Sequence, residues 1–236
     1  MSEDIAEVEE KTEFTFDELD NAAKNKARDK WREHDPEYEW WEFVYEDAVT
    51  IGKLIGIEVG LQHSRPHNGK SYTQPDISFS GFWSQGDGCC YSGDLYITQL
   101  KGCVTRLREY TGRGCTDDRL FSLAAEGEAL YDLITLRLVT LRLTGYVMDE
   151  DEEQDEVLQD SRIMISGDER GCYRTKVEPG SCPEEIEEAM NEYVSSFADW
   201  IYNQLEKEHD WLTSDECVDE AIEANDCLFD AHGSII

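Results

Sequence analysis

Apolar residues recur along this chain in two rhythms. One is the three-to-four spacing of helices, the other the alternation of half-buried strands. The first helical stretch, "FTFDELDNAAKNKARDKW", opens at Phe14 with a capping box of Thr15 and Glu18, and Phe14 is placed to pack on Leu19 as a hydrophobic staple. "HDPEYEWWEFVYEDAVTIGKLIGIEV" opens the second, with Asp35 as N-cap and Pro36 at the first helical position. Trp41, Tyr45, Ala48 and Ile55 form its inner stripe, and Ile57 to Val59 leaves it as a short strand. The polar, turn-rich run Leu61 to Gln74 reads as an exposed loop. In "ISFSGFWSQGDGCCYSGDLYI", Ile77, Phe79, Gly81 and Trp83 alternate onto one face, which makes Trp83 a core anchor. Cys89 to Ile97 is strand-like again, so Ser84 to Gly88 joins two antiparallel strands.

Leu100 to Tyr110 and Asp118 to Leu133 carry helical patterns. Thr135 to Val147 is β-rich, with Val139, Leu141, Leu143 and Val147 on one face. Arg162 to Ser166 and Cys172 to Val177 supply further strands. From Ser181 the chain is helical, with Ile186, Met190, Tyr193, Phe197, Ile201 and Leu205 facing inward. A capping box from Thr213 to Glu216 starts a last helix with Val218 and Ile222 inside. The elements predict an α+β fold: an antiparallel sheet of about four strands with helices packed on one face. It forms a single domain over residues 14–230, between a flexible acidic segment 1–13 and a flexible tail 231–236.

Charge changes the picture. The 236 residues hold 54 Asp and Glu against 21 Lys and Arg, a formal net charge of -33. Hydrophobic residues at 39% and aromatics at 11% supply a core, which sets the chain apart from disordered acidic proteins. So negative a surface disfavours direct contact with nucleic acid or anionic membrane and attracts basic protein surfaces. The carboxylates concentrate in two places. "DEDEEQDE", with Asp149, Glu150, Asp151, Glu152, Glu153, Asp155 and Glu156, reads as a mobile hairpin tip. From Ser181 to Asp230 there are sixteen acidic residues and one Lys, and Glu184, Glu185, Glu187, Glu188 and Glu192 crowd the outer side of a helix. Carboxylates in rows on a helix can stand in for duplex phosphates. The plainer reading is a solvated face, or adaptation to a salty cytoplasm, which eight Cys and many aromatics fit less well.

Candidate chemistry adds little. The eight Cys include no C-x-x-C pair, so the spacing does not suit a structural zinc site, and Cys89 and Cys90 point to opposite faces of a strand. The start "MSEDIAEVEE" lacks a basic, apolar leader and no run is long enough to span a bilayer, which predicts a cytoplasmic protein with reduced thiols. No metal or cofactor is expected. His63 and His67 share the polar loop, and Ser84 and Asp87 lie in "FWSQGDG", a constellation for a small hydrolase. It has no nucleophile elbow, and the turn joins strand to strand. No phosphate-binding loop is present. Glycines and Asp87-Gly88 serve turn chemistry better.

Four stretches, "FTFDELDNAAKNKARDKWRE", "YEWWEFVYEDAVTIGKLIGIEV", "ISFSGFWSQGDG" and "FADWIYNQLEKEHDWLTSDECVDEAIEAN", resemble small proteins of tailed phages and prophages catalogued as antitoxins of toxin–antitoxin stability systems. The resemblance covers most of Phe14 to Tyr96 and Pro183 to Asn225, and Trp83, Ser84, Gln85 and Asp87 mark its signature loop. Relative to that pattern, Leu61–Gln74 and Asp149–Glu156 look like insertions, and Cys89-Cys90 replaces small residues. Together with the acidic surface, the resemblance leads to the expectation of a non-enzymatic protein that binds and neutralises a host defence factor or toxin, the basic, nucleic-acid-binding character of the target being what the charge implies. The alternatives are the hydrolase and a structural phage protein kept soluble by its acidity.

Overall fold

A computed structural model describes residues 12–33, 39–64, 72–143, 162–167, 173–176 and 183–236. The chain packs as two compact units. The first joins residues 1–40 to 207–236 and the second comprises residues 41–206.

The first unit is built on α1 (Asn21–Arg32) and α7 (Asp215–Ala224). The expected box does form, with the Glu18 carboxylate accepting from the Thr15 N–H at 2.9 Å, but it opens only a 3-10 turn, Phe16–Glu18. The cap of α1 is Asp20, which accepts from the Ala23 N–H at 2.8 Å. Likewise Ser214, not Thr213, caps α7, while the Thr213 hydroxyl donates back to the His209 carbonyl. Phe16, Leu19, Ala23 and Ala27 bury against Val218, Ile222 and Phe229. The Arg28 guanidinium grips Asp219 with two bonds of 2.6 Å, and Arg32 donates to Asp215 and to the Thr213 carbonyl. The tail read as flexible is pinned here: Phe229 bridges both Phe14 and Ile235, and the Ile236 N–H donates to the Leu228 carbonyl at 3.0 Å.

The second unit centres on β5 (Gly88–Tyr96). Along one edge lie β1 (Ile57–Val59) and β4 (Ile77–Ser80), and along the other β6 (Arg162–Gly167), followed by β7 (Tyr173–Lys176), all antiparallel. Between β1 and β4 the chain leaves the sheet at Gly60 and returns at Asp76, whose N–H donates to the Gly60 carbonyl at 2.8 Å. The excursion is not a loop but a second hairpin, β2 (Leu61–Ser64) paired with β3 (Tyr72–Pro75). Backbone pairing needs no apolar alternation, so this polar hairpin gives no hydrophobic signal.

Helix α2 (Glu42–Leu54) precedes β1, and α3 (Ile97–Leu100), α4 (Cys103–Thr111) and α5 (Asp118–Leu143) follow β5. The stretch from Thr135, expected as strand, continues α5 through Leu143; residues 144–147 lie outside the described part. Leu and Arg are good helix formers, and extending an existing helix costs far less than nucleating a new element. Asp117 caps α5 by accepting from the Leu120 N–H at 3.0 Å, and Leu120, Leu123, Leu130 and Ile134 are its buried stripe.

The organising helix is α6 (Glu184–Leu212), whose residues up to Glu206 belong to this unit. The whole predicted stripe from Ile186 to Leu205 is buried. Cys89, Tyr91 and Leu95 on alternate positions of β5 are buried as well, and Phe197 meets Tyr91 edge-on at 5.3 Å between centroids. The Tyr91 hydroxyl donates to the Val194 carbonyl, and that of Tyr193 to the Ile55 carbonyl. Burial pushes both phenols well above their ordinary range. On the opposite face of the sheet Glu58, Asp94 and Met164 stand in one row, where Glu58 is exposed and Met164 half exposed.

Gly93 lies between Val59 and Ile165 in register, and a Cβ there would sit 2.1 Å from the Glu58 carbonyl oxygen. Gly93→Ala is therefore expected to lower unfolding stability by about 2–3 kcal/mol, read by denaturant titration; a loss under about 0.5 kcal/mol would refute the close approach. In the first unit, Asp230 accepts from the N–H groups of Ser234 and His232, which holds its carboxyl below the ordinary range. The Arg32 bond does the same for Asp215. Carboxyls lowered in the folded state stabilise it above their unfolded value and lose that contribution as pH falls through the folded one. The unit should hold its stability near neutrality and lose it below about pH 4, as followed at the Trp31 indole by NMR. Asp230→Asn should flatten that decline, and an unchanged slope would count against it.

Candidate functional site

Two features of the second unit stand out. The first is the outer face of α6. Burial of Ile186, Met190, Tyr193 and Val194 turns Glu184, Glu185, Glu187, Glu188 and Glu192 outward, and all five are exposed. Among the described residues none of the five enters an ion pair. At 1.5 Å of rise per residue the five charges span about 12 Å, a mean spacing of about 3 Å along the axis. Duplex DNA carries one per about 1.7 Å, and a single strand one per about 3.4 Å. The helix dipole accounts for acids in the first turn, Glu184, Glu185 and Glu187. Glu188 and Glu192 lie beyond it, and with Glu184 they form an i, i+4 row that costs the helix a few tenths of a kcal/mol.

The acidic residues of α7 are different. Asp215 and Asp219 hold Arg32 and Arg28, so part of the C-terminal charge is internal to the first unit. The predicted hairpin Asp149, Glu150, Asp151, Glu152, Glu153, Asp155 and Glu156 lies outside the described residues.

The second feature is the loop between β4 and β5. The Asp87 carboxylate accepts from the N–H groups of Trp83 (2.8 Å) and Ser84 (2.6 Å), while its own N–H donates to the Ser84 carbonyl at 3.1 Å. Gly86 turns the chain at φ +105°. Phe82 packs inward, its ring 5.6 Å from Phe79 and 5.4 Å from Tyr202, and Trp41 meets Phe79 at 5.9 Å. The Tyr202 hydroxyl donates to the Gly81 carbonyl at 3.0 Å. Trp83 is not a core anchor: it is 81% exposed. Strand β4 ends at Ser80 and Gly81 adopts φ +30°, so the alternation stops and Phe82 takes the inward position. Ser84 and Gln85 are exposed too.

The hydrolase constellation does not assemble among the described residues. His63 lies on β2, its Nδ1 3.1 Å from the Thr73 hydroxyl across the hairpin, and His67 is outside the described residues. Asp87 bonds the backbone of Ser84, not a histidine. Among the described residues no three His, Cys, Asp or Glu side chains converge to hold a metal, and no helix is long and apolar enough to cross a membrane. Among the described residues no disulfide joins two cysteines; burial raises Cys89 strongly and lifts Cys103 to about 11, away from reactivity at neutral pH. Tyr202 and Phe82 escaped the sequence reading. Tyr202 sits off the inner stripe of α6, and nothing local to it signals the distant Gly81 carbonyl.

The model of the family described as Domain of unknown function (DUF8835) matches residues 40–215. The chain belongs to that family. No curated protein and no solved structure matches it. The DUF8835 segment contains the second unit entire, and with it both the acidic face of α6 and the Trp83 loop. The Arg28–Asp219 clamp lies outside it.

Asp87→Ala should free the loop. The Trp83 and Ser84 amides are expected to exchange with solvent roughly ten-fold faster by NMR, at a cost of about 1–2 kcal/mol in stability. Unchanged protection of both amides would contradict the role given to Asp87.

Proposed function

We propose that this chain is a non-enzymatic binding protein that neutralises a basic protein surface of the kind that holds nucleic acid. The observation that carries the proposal is the outer face of α6, where five exposed carboxylates approach the linear charge density of a nucleic-acid backbone. A rigid, well-buried helix presents them without the ordering cost of a flexible acidic tail. The net charge of -33 would speed encounter with a cationic partner and oppose direct contact with nucleic acid or anionic membrane. The setting that fits is the cytoplasm of a bacterial host, and the resemblance to phage and prophage proteins points to a defence factor or toxin as the class of target.

The test is capture from bacterial lysate on the immobilised chain, across a salt gradient, with identification of what is retained. Basic nucleic-acid-binding proteins should be held at low salt, released as ionic strength rises, and displaced by duplex DNA. Changing Glu184, Glu185, Glu187, Glu188 and Glu192 together to Gln should cut retention at least roughly ten-fold. If that variant retains the same proteins at the same salt, the acidity serves solubility alone and the proposal fails.

A further inference from the structure

The six tryptophans are not treated alike. Trp40 and Trp200 are buried, whereas Trp83 stands 81% exposed at the tip of the loop between β4 and β5. The loop that carries it is fixed on every side. The Trp83 N–H is held by Asp87, the next N–H by the same carboxylate, and the Gly81 carbonyl by Tyr202. Its neighbour Phe82 is wedged between Phe79 and Tyr202. A backbone this constrained presents the indole with little left to order on binding, the condition under which an exposed aromatic becomes an interface hot spot.

Charge names the occupant. The Asp87 carboxylate lies 2.8 Å from the Trp83 N–H and 2.6 Å from the Ser84 N–H, and with Glu206 it adds to burial in pushing the Tyr202 phenol upward, so negative charge stands beside the indole. An indole face so placed suits a cation, and the planar guanidinium of arginine stacks on it where a lysine ammonium cannot. We propose that Trp83 is the anchor of the partner-binding surface, receiving an arginine side chain of the basic partner. The assignment rests on the reading of the chain as a binder of basic proteins, and adds to it a residue and a side-chain preference.

Deca-arginine and deca-lysine peptides, titrated at low salt by calorimetry, separate the two claims. The wild-type protein should bind both, the arginine peptide about five-fold more tightly. Trp83→Ala should erase that preference and leave lysine binding unchanged, while Trp83→Phe keeps part of it. The Trp83 indole N–H resonance, identified by its absence in Trp83→Phe, should shift with the arginine peptide. If Trp83→Ala keeps the preference while the α6 glutamine variant binds weakly, the anchor is wrong and the binding function stands. If the wild type binds neither peptide, both fall. If Trp83→Ala instead lowers the oligomeric mass and leaves arginine binding intact, Trp83 seats in a second copy and the anchor is overturned.

Discussion

The packing of α6 on β5 is the contact on which the rest of the second unit depends. Phe197 is fully buried against Tyr91 and Trp200, and the hydroxyls of Tyr91 and Tyr193 reach carbonyls of α6 and of the α2–β1 connection. Large apolar area and satisfied buried polar groups coincide there, so the helix can be fixed in rotation as well as in place. Trp200 and Gln204 extend the same grip to Asp117, which also caps α5.

Fixing the rotation of α6 decides where its charges go. A helix whose stripe from Ile186 to Leu205 is buried cannot hide carboxylates at 184, 185, 187, 188 and 192. The same rotation aims Tyr202 at the Gly81 carbonyl, which steadies the loop carrying Trp83. The acidic face and the tryptophan loop are thus two consequences of one packing event, and both fall inside the DUF8835 segment. In the first unit, charge serves architecture: Asp219 and Asp215 hold Arg28 and Arg32 between the two ends of the chain.

What was legible in the sequence was periodic. The stripe of α6, Tyr45 and Ala48 of α2, the inner residues Val218 and Ile222 and the antiparallel pairing across Ser84–Gly88 all follow from local spacing, because burying a face demands apolar residues at the period of the element. Where spacing fitted two periods, as in Thr135 to Leu143, the helix already running from Asp118 prevailed. Where pairing ran mostly through backbone and polar side chains, as in the hairpin of β2 and β3, no pattern announced it.

The sequence by itself determined the α+β class, the core stripes and the excess of carboxylates, since each depends on residue type and near neighbours. Only the tertiary structure decided which carboxylates are engaged and which face outward. It also decided that Phe82 turns in while Trp83 turns out, and that the two ends of the chain close on one another through Phe14, Phe229 and Ile235. Those outcomes depend on partners far away along the chain, such as Tyr202 for Gly81 and Asp219 for Arg28, and no local pattern specifies contacts across such separations.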